Sequence, residues 1–208
     1  PYTTLFRSIL GVNQSLPINR KIRVVSVSAA PSGPDSPFKK NQALWDDART
    51  RAEQAGILVL DCTGDHGFIG ACWYDAADPE NVSKCPPGFP GLPESWGSDG
   101  KRLLVPASPR STAEEYRWGD FSYQYCGRGG LSWSIPYCAG VLALGWQLRP
   151  DLSAQQMRQL LLESAFTAPG GERIIQPSEF IRRLQTFQKL QTPSGEIHPP
   201  RQGRSRSL

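Results

Sequence analysis

One stretch limits the fold more than any other: from Ser132 to Leu148 the chain is apolar almost all round. Ile135, Cys138, Val141, Leu142, Leu144 and Trp146 leave no continuous polar stripe. A helix that is apolar on every side has to be covered on every side, so it runs through the middle of a domain. Ala139, Gly140, Ala143 and Gly145 keep its surface slim, which permits close packing, and Pro150 ends it. No run of eighteen uninterrupted apolar residues occurs, so the sequence encodes no transmembrane helix.

The rest of the chain must supply that cover. With 208 residues, 38% of them apolar and 20% charged, it suits one α/β domain large enough to bury a sizeable core. Ile22 to Ser28 is a β-branched run and reads as a strand, broken by Pro31-Ser32-Gly33-Pro34. From Asn41 to Ala55 the pattern turns helical, with Leu44, Ala48, Ala52 and Ala55 recurring at threes and fours, and Gly56 stops it. Ile57-Leu58-Val59-Leu60 follows as a strand covered on both faces. Strand, helix and strand at this spacing predict a parallel, right-handed βαβ unit.

Residues 67–128 are rich in Gly, Pro and Trp, and Leu103-Leu104-Val105 is their one convincing strand. Long structureless loops are unusual in a compact domain, so further short strands are expected there. Ser153 and Gln156 form a capping box before a helix whose inner face is Met157, Leu160 and Leu161. Another helix is expected over about 178–190, with Phe180, Ile181, Leu184 and Phe187 on one side, and no structure after Thr192.

The net charge of +4 lies partly in the tail 201–208, where Arg201, Arg204 and Arg206 alternate with small polar residues. That composition reads as a disordered basic terminus, with an arginine-rich nucleic-acid arm as the sharper alternative; neither a nucleic-acid nor a membrane partner is expected. Five cysteines without a Cys-x-x-Cys pair, and only two histidines, give no reason to expect a metal site. Cys62 and Cys138 fall in apolar runs and read as small buried hydrophobes. Cys72, Cys85 and Cys126 lie in loop-like sequence and leave room for one disulfide, so the redox compartment stays open.

The chemistry concentrates in Gly130-Leu131-Ser132-Trp133-Ser134-Ile135-Pro136-Tyr137-Cys138-Ala139-Gly140. A glycine pair followed by serine at the start of a buried helix puts a hydroxyl at the positive end of the helix dipole. Backbone N–H groups there can receive developing negative charge. Pro136 falls in the first turns, where a missing N–H costs least. A serine before a helix is also a common cap, and the residues alone leave both readings open.

The stretch resembles the subtilase active-site serine motif, Gly-Thr-Ser-x-(Ser/Ala)-x-Pro followed by small residues. Gly130, Ser132, Ser134, Pro136, Ala139 and Gly140 match it, and Leu131 stands where the family has threonine. The likeness continues through the buried helix, the Pro150-Asp151-Leu152 turn and the next helix, and implies that Ser132 is the nucleophile. Upstream, Gly56 to Gly67 resembles the strand and turn ending at the family's oxyanion asparagine, a position taken here by Asp65. An ionised carboxylate offers the oxyanion no donor, whereas a protonated Asp65 would offer its O–H. Val27 to Gly33 is similar to the segment that pairs with the substrate backbone; Ala29 and Ala30 replace Leu-Gly, and the Ala30 methyl narrows the groove. The resemblance thus implies substrate contacts at Ser28, Ala29, Ala30, Thr63 and Gly64.

A nucleophilic serine needs a general base and an orienting carboxylate. In subtilases both precede the region present here; His66 adjoins the oxyanion position and His198 lies in the tail. The expected fold is α/β, a three-layer subtilisin-like architecture with a mostly parallel sheet and a buried central helix, truncated at its N-terminus. The expected organisation is an incomplete catalytic domain over 9–191 and a tail over 192–208. Residues 1–8, Pro1 to Ser8, resemble a translated sequencing adaptor and are set aside. The implied function is serine endopeptidase acting on a polypeptide substrate, inactive as this chain alone. The alternative is a subtilase-like pseudoenzyme that binds proteins. No cofactor is expected; calcium accords with the resemblance, without an identifiable site. No signal segment is visible, although the resemblance favours secretion.

Overall fold

The computed structural model of the chain describes residues 2–31, 36–63, 67–73, 75, 77–78, 81–85, 102–127 and 129–191. The β-branched run forms β1 (Val24–Val27), the helical pattern forms α2 (Gln42–Gln54), and the apolar run forms β2 (Leu58–Asp61). β1 and β2 pair in parallel, Val24 opposite Leu58 and Val27 opposite Asp61. Gly56, at φ +79°, makes the turn between α2 and β2 in a conformation that other residues rarely adopt. The inner face of α2 is Trp45, Ala48 and Ala52, whereas Leu44 is exposed. Leu44 and Trp45 are one residue, about 100°, apart around the helix, and the bulkier ring takes the core because it buries more apolar area.

Before β1 runs α1 (Tyr2–Ser15), which places Phe6 and Ile9 in the same cluster as Trp45, with the Phe6 and Trp45 rings 5.4 Å apart. Leu5 to Ser8 belong to the same helix as Ile9.

Region 67–128 does contain further strands: β3 (Ile69–Trp73), β4 (Leu103–Ser108), β5 (Arg110–Arg117) and β6 (Asp120–Cys126). β3 and β4 pair in parallel. The sheet continues to two short strands, β8 (Arg173–Ile174), parallel to β4, and β7 (Phe166–Thr167), antiparallel to β8. β5 and β6 form a separate antiparallel hairpin. Phe121, Tyr123 and Tyr125 point to its outer face and are exposed, which explains why no buried-strand pattern marks it.

The apolar stretch is α3 (Leu131–Leu148), followed by α4 (Ala154–Glu163) and α5 (Pro177–Gln191). Contrary to the expectation of cover on every side, one face of α3 is open: Leu144 is 50% exposed and Leu148 42%. The expected capping box forms: Ser153 Oγ accepts from the Gln156 N–H while Gln156 Oε1 accepts from the Ser153 N–H. Leu131, Ile135, Cys138, Val141, Leu142 and Trp146 pack in one cluster with Leu58 and Leu60 of β2, Leu103 and Val105 of β4, and Phe180 of α5. Val25, Val27, Ile57 and Val59 pack on the opposite side with α1 and α2, so β1 and β2 are covered on both faces. Among the described residues, no helix is long and apolar enough to cross a membrane. The tail 192–208 lies outside the described residues.

The small residues of α3 do not act alike. Gly140 is exposed, and an added Cβ there would touch nothing within 4 Å. At Gly145 a Cβ would come within 2.7 Å of Phe180 Cζ and 2.8 Å of Met157 Sδ, so the close approach of α3 to α4 and α5 rests on that one glycine. Gly145→Ala is expected to destabilise the chain by about 1–3 kcal/mol through overpacking. Gly140→Ala is expected to stabilise it by about 0.5–1 kcal/mol by removing backbone freedom from the unfolded chain. Urea unfolding of the two variants checks the opposite signs.

Candidate active site

The N-cap of α3 is Gly130, in extended conformation, and no side chain caps the helix. Ser132 is the second residue inside the helix, so its hydroxyl does not act as the cap. It is half-buried, and among the described residues no hydrogen bond engages its Oγ. Trp133 N–H donates to the Gly130 carbonyl at 2.9 Å. The helix itself provides no acceptor for the N–H groups of Leu131 and Ser132. A hydroxyl and two N–H donors therefore share the positive end of an 18-residue helix.

Two constraints hold this end in place. Gly129 is pressed against β4, where an added Cβ would overlap the Ala107 carbonyl, so only glycine passes. Ser134, fully buried, donates from Oγ to the Val105 carbonyl at 2.8 Å. Arg110, at the root of the β5–β6 hairpin, reaches back over the Trp133 and Tyr137 rings at 5.6 and 5.8 Å. Its guanidinium also donates to the Trp133 and Pro106 carbonyls. No motif in the sequence marks Arg110, because its partners belong to two other elements.

Pro136 corrects an expectation. It is the sixth residue of α3, beyond the first turn, so its missing N–H is one that would have bonded the Ser132 carbonyl. Ser28 makes good the loss: its Oγ–H donates to the Ser132 carbonyl at 2.7 Å. Ser28 and Ser132 are thereby brought together, although Ser28 does so through a contact to the helix backbone. The proline four residues after Ser132 was the signal that this carbonyl needs an outside donor.

The remaining expected site residues cluster where β1 and β2 end. The Ala29 carbonyl accepts from the Cys62 N–H at 2.9 Å, while Ala29 and Ala30 are half-buried. Thr63 is 1% exposed; its N–H donates to Asp61 Oδ1 at 2.7 Å. Side chain and backbone of Thr63 are buried alike. Among the described residues Thr63 Oγ1 and Asp61 Oδ2, both buried, have no hydrogen-bond partner. Gly64, Asp65 and His66 lie outside the described residues. His198 does too, so the described residues contain no histidine. They contain no cluster of three or more His, Cys, Asp or Glu side chains fit to hold a metal. A cavity of about 310 Å³ between residues 18–24 and Ala143, Trp146 and Gln147 lies toward the other end of α3. Its nearest helix residue is eleven positions from Ser132, about 16 Å along the axis, so it is not part of this site.

No protein-family model matches the sequence, and no curated protein matches it. Solved structures do match in shape. The protease domain of PatA superposes with a TM-score of 0.53 at 18% identity, covering 89% of this chain and 66% of that one. A protease from Pseudoalteromonas arctica gives 0.54 at 15% identity, over 88% and 59%. A chain of the subtilase cytotoxin SubAB assembly gives 0.50 at 15% identity, over 92% and 67%. The fold is subtilase-like. The chain spans 59–67% of the lengths of these three structures. Such identities speak for the fold alone, and the subtilase-like fold here carries mixed helices and strands, with the parallel pairs β1–β2 and β3–β4 both packed against α3.

The Ser28–Ser132 contact has a direct test. Ser28→Ala is expected to cost about 0.5–1.5 kcal/mol, one hydrogen bond at an exposed donor. In a Pro136→Ala background, where residue 136 regains its N–H, the same change is expected to cost close to nothing. Urea unfolding of the four chains gives the coupling; an equal cost in both backgrounds would break the link between Ser28 and Pro136.

Proposed function

We propose that this chain carries the nucleophile-bearing part of a serine endopeptidase, with Ser132 attacking the scissile carbonyl. The observation that carries the reading is the position of Ser132 inside the first turn of α3, uncapped, beside N–H groups with no helical acceptor. The subtilase-like fold supports it, as does the serine motif quoted above. In this reading the Ser132 N–H and Asp65, acting as a protonated donor, line the oxyanion site. Ser28 to Ala30 and Gly64 flank a polypeptide substrate paired along the end of β1, while Thr63, buried, braces the turn through its N–H bond to Asp61. A histidine and an aspartate in sequence preceding residue 1 supply the base and its orienting acid. Calcium, secretion and the three-layer arrangement of a whole subtilisin-like domain belong to the same proposal.

The test uses the protein joined to its upstream sequence. A fluorophosphonate probe is expected to label it, and Ser132→Ala to abolish labelling. Labelling that survives the substitution would move the nucleophile elsewhere. An intact protein that takes no label, yet folds, would favour the protein-binding pseudoenzyme.

Asp65 makes a second prediction. A carboxyl that must stay protonated to donate loses its effect as pH rises through its pKa. Asp65→Asn supplies a permanent N–H donor, so activity is expected to persist and its pH profile to extend upward toward neutral. An unchanged profile would remove Asp65 from the oxyanion site.

A further inference from the structure

The cavity of about 310 Å³ toward the far end of α3 has a one-sided chemistry. Arg20, Lys21 and Arg23 line it, and none of its lining residues is an Asp or Glu. Most of the other lining side chains are apolar, Ile22 and Val24 on one side and Ala143 and Trp146 of α3 on the other. The Trp146 N–H donates to the Leu152 carbonyl at 3.0 Å, so its indole offers the cavity apolar surface. Cations and apolar walls therefore share one concave space.

The cations stand there without counter-ions. Among the described residues, no carboxylate pairs with Arg20, Lys21 or Arg23. Asp151, next to the lining residue Pro150, is already paired with Arg149. Arg23 is half-buried; its Nη2 donates to the Pro150 carbonyl at 3.1 Å, and its Nε, buried, has no hydrogen-bond partner among the described residues. A guanidinium drawn partly out of water with no opposite charge gains more from an anion than a fully solvated one does.

The wall that carries these charges is held in place. The Asn13 side chain bonds both backbone groups of Ile22, donating to its carbonyl and accepting from its N–H, each at 2.8 Å. The Leu58 N–H donates to the Arg23 carbonyl at 2.8 Å. Binding here need not order the loop first, which removes one of the usual costs of association.

We propose that this cavity binds a small free carboxylate with an apolar body. The carboxylate lies at Arg20, Lys21 and Arg23, and the body lies against Ile22, Val24, Ala143 and Trp146. Sign and surface select the class together. An inorganic anion leaves the apolar walls wet, and a neutral hydrocarbon leaves the cations unanswered. The volume is close to the lower bound, about 300 Å³, of small-molecule sites, which suits one small molecule better than a chain. The inference is independent of the peptidase reading, since no residue lining the cavity belongs to the Ser132 site.

Calorimetric titration of the chain with octanoate, 1-octanol and acetate separates the two requirements. Octanoate is expected to bind, with 1-octanol (same chain) and acetate (same head) at least about tenfold weaker. Arg20→Gln with Lys21→Gln, both at exposed positions, is expected to weaken octanoate about tenfold and to flatten its salt dependence. Ala143→Leu, at an exposed position of α3, fills the cavity and is expected to abolish binding with the urea midpoint little changed. Octanol binding as tightly as octanoate, or octanoate binding untouched by the substitutions, would overturn the site. Tighter binding of N-acetylalanylleucine than of octanoate would overturn the free-acid assignment in favour of a peptide C-terminus. The double substitution decides if Ala143→Leu fails to fold.

Discussion

The architecture depends on how one strand holds one helix. β1 runs alongside α3, and the residues flanking β1 bond to the first turn of α3 and to the turn just past its end. Ser28, just past β1, donates to the Ser132 carbonyl, and Arg23, just before it, donates to the Pro150 carbonyl at 3.1 Å. The buried face of α3 gains its stability from apolar burial, which is non-directional and by itself sets no register. The two hydrogen bonds supply the register, and Ser134 on the Val105 carbonyl adds a third from β4. With those in place, β1 and β2 can be covered by α3 on one face and by α1 and α2 on the other.

The candidate active site inherits its order from that arrangement. Gly129 lets the backbone pass against β4, and Gly130 in extended conformation turns it into α3. Ser132 then lies inside the helix, where backbone geometry fixes the direction of its Cβ. Proline four residues later would leave a helix carbonyl without a donor in the first turns. The Ser28 hydroxyl meets that need, so the same contact that sets the register also completes the helix beneath the serine. Arg110 ties the root of the hairpin to this end, stacked over Trp133 and Tyr137.

Burial also sorts the cysteines. Equal side chains become an inert core thiol at Cys138 and members of one small buried cluster at Cys72 and Cys85, because β3 is brought beside the segment that follows it. Loop-like sequence around Cys72 concealed a buried strand: Ile69 to Trp73 is rich in small residues, and its pairing with β4 fills the ladder that its composition does not announce.

Much of the frame was readable from the chain alone. The helix α2, the capping box at Ser153, the stop at Gly56 and the helix α3 are encoded within a few neighbouring residues, and each formed, although α3 keeps Leu144 and Leu148 exposed on one face. Other features were decided in three dimensions. Trp45 displaced Leu44 from the inner face of α2, Thr63 became buried, and the β5–β6 hairpin formed with its aromatic face outward. Ser132 became a residue of the helix instead of its cap. The physical reason is range. Propensities, caps and periodicity act over one or two turns. The Ser28–Ser132 and Arg23–Pro150 bonds join residues 104 and 127 positions apart, and only the packed fold determines which groups meet.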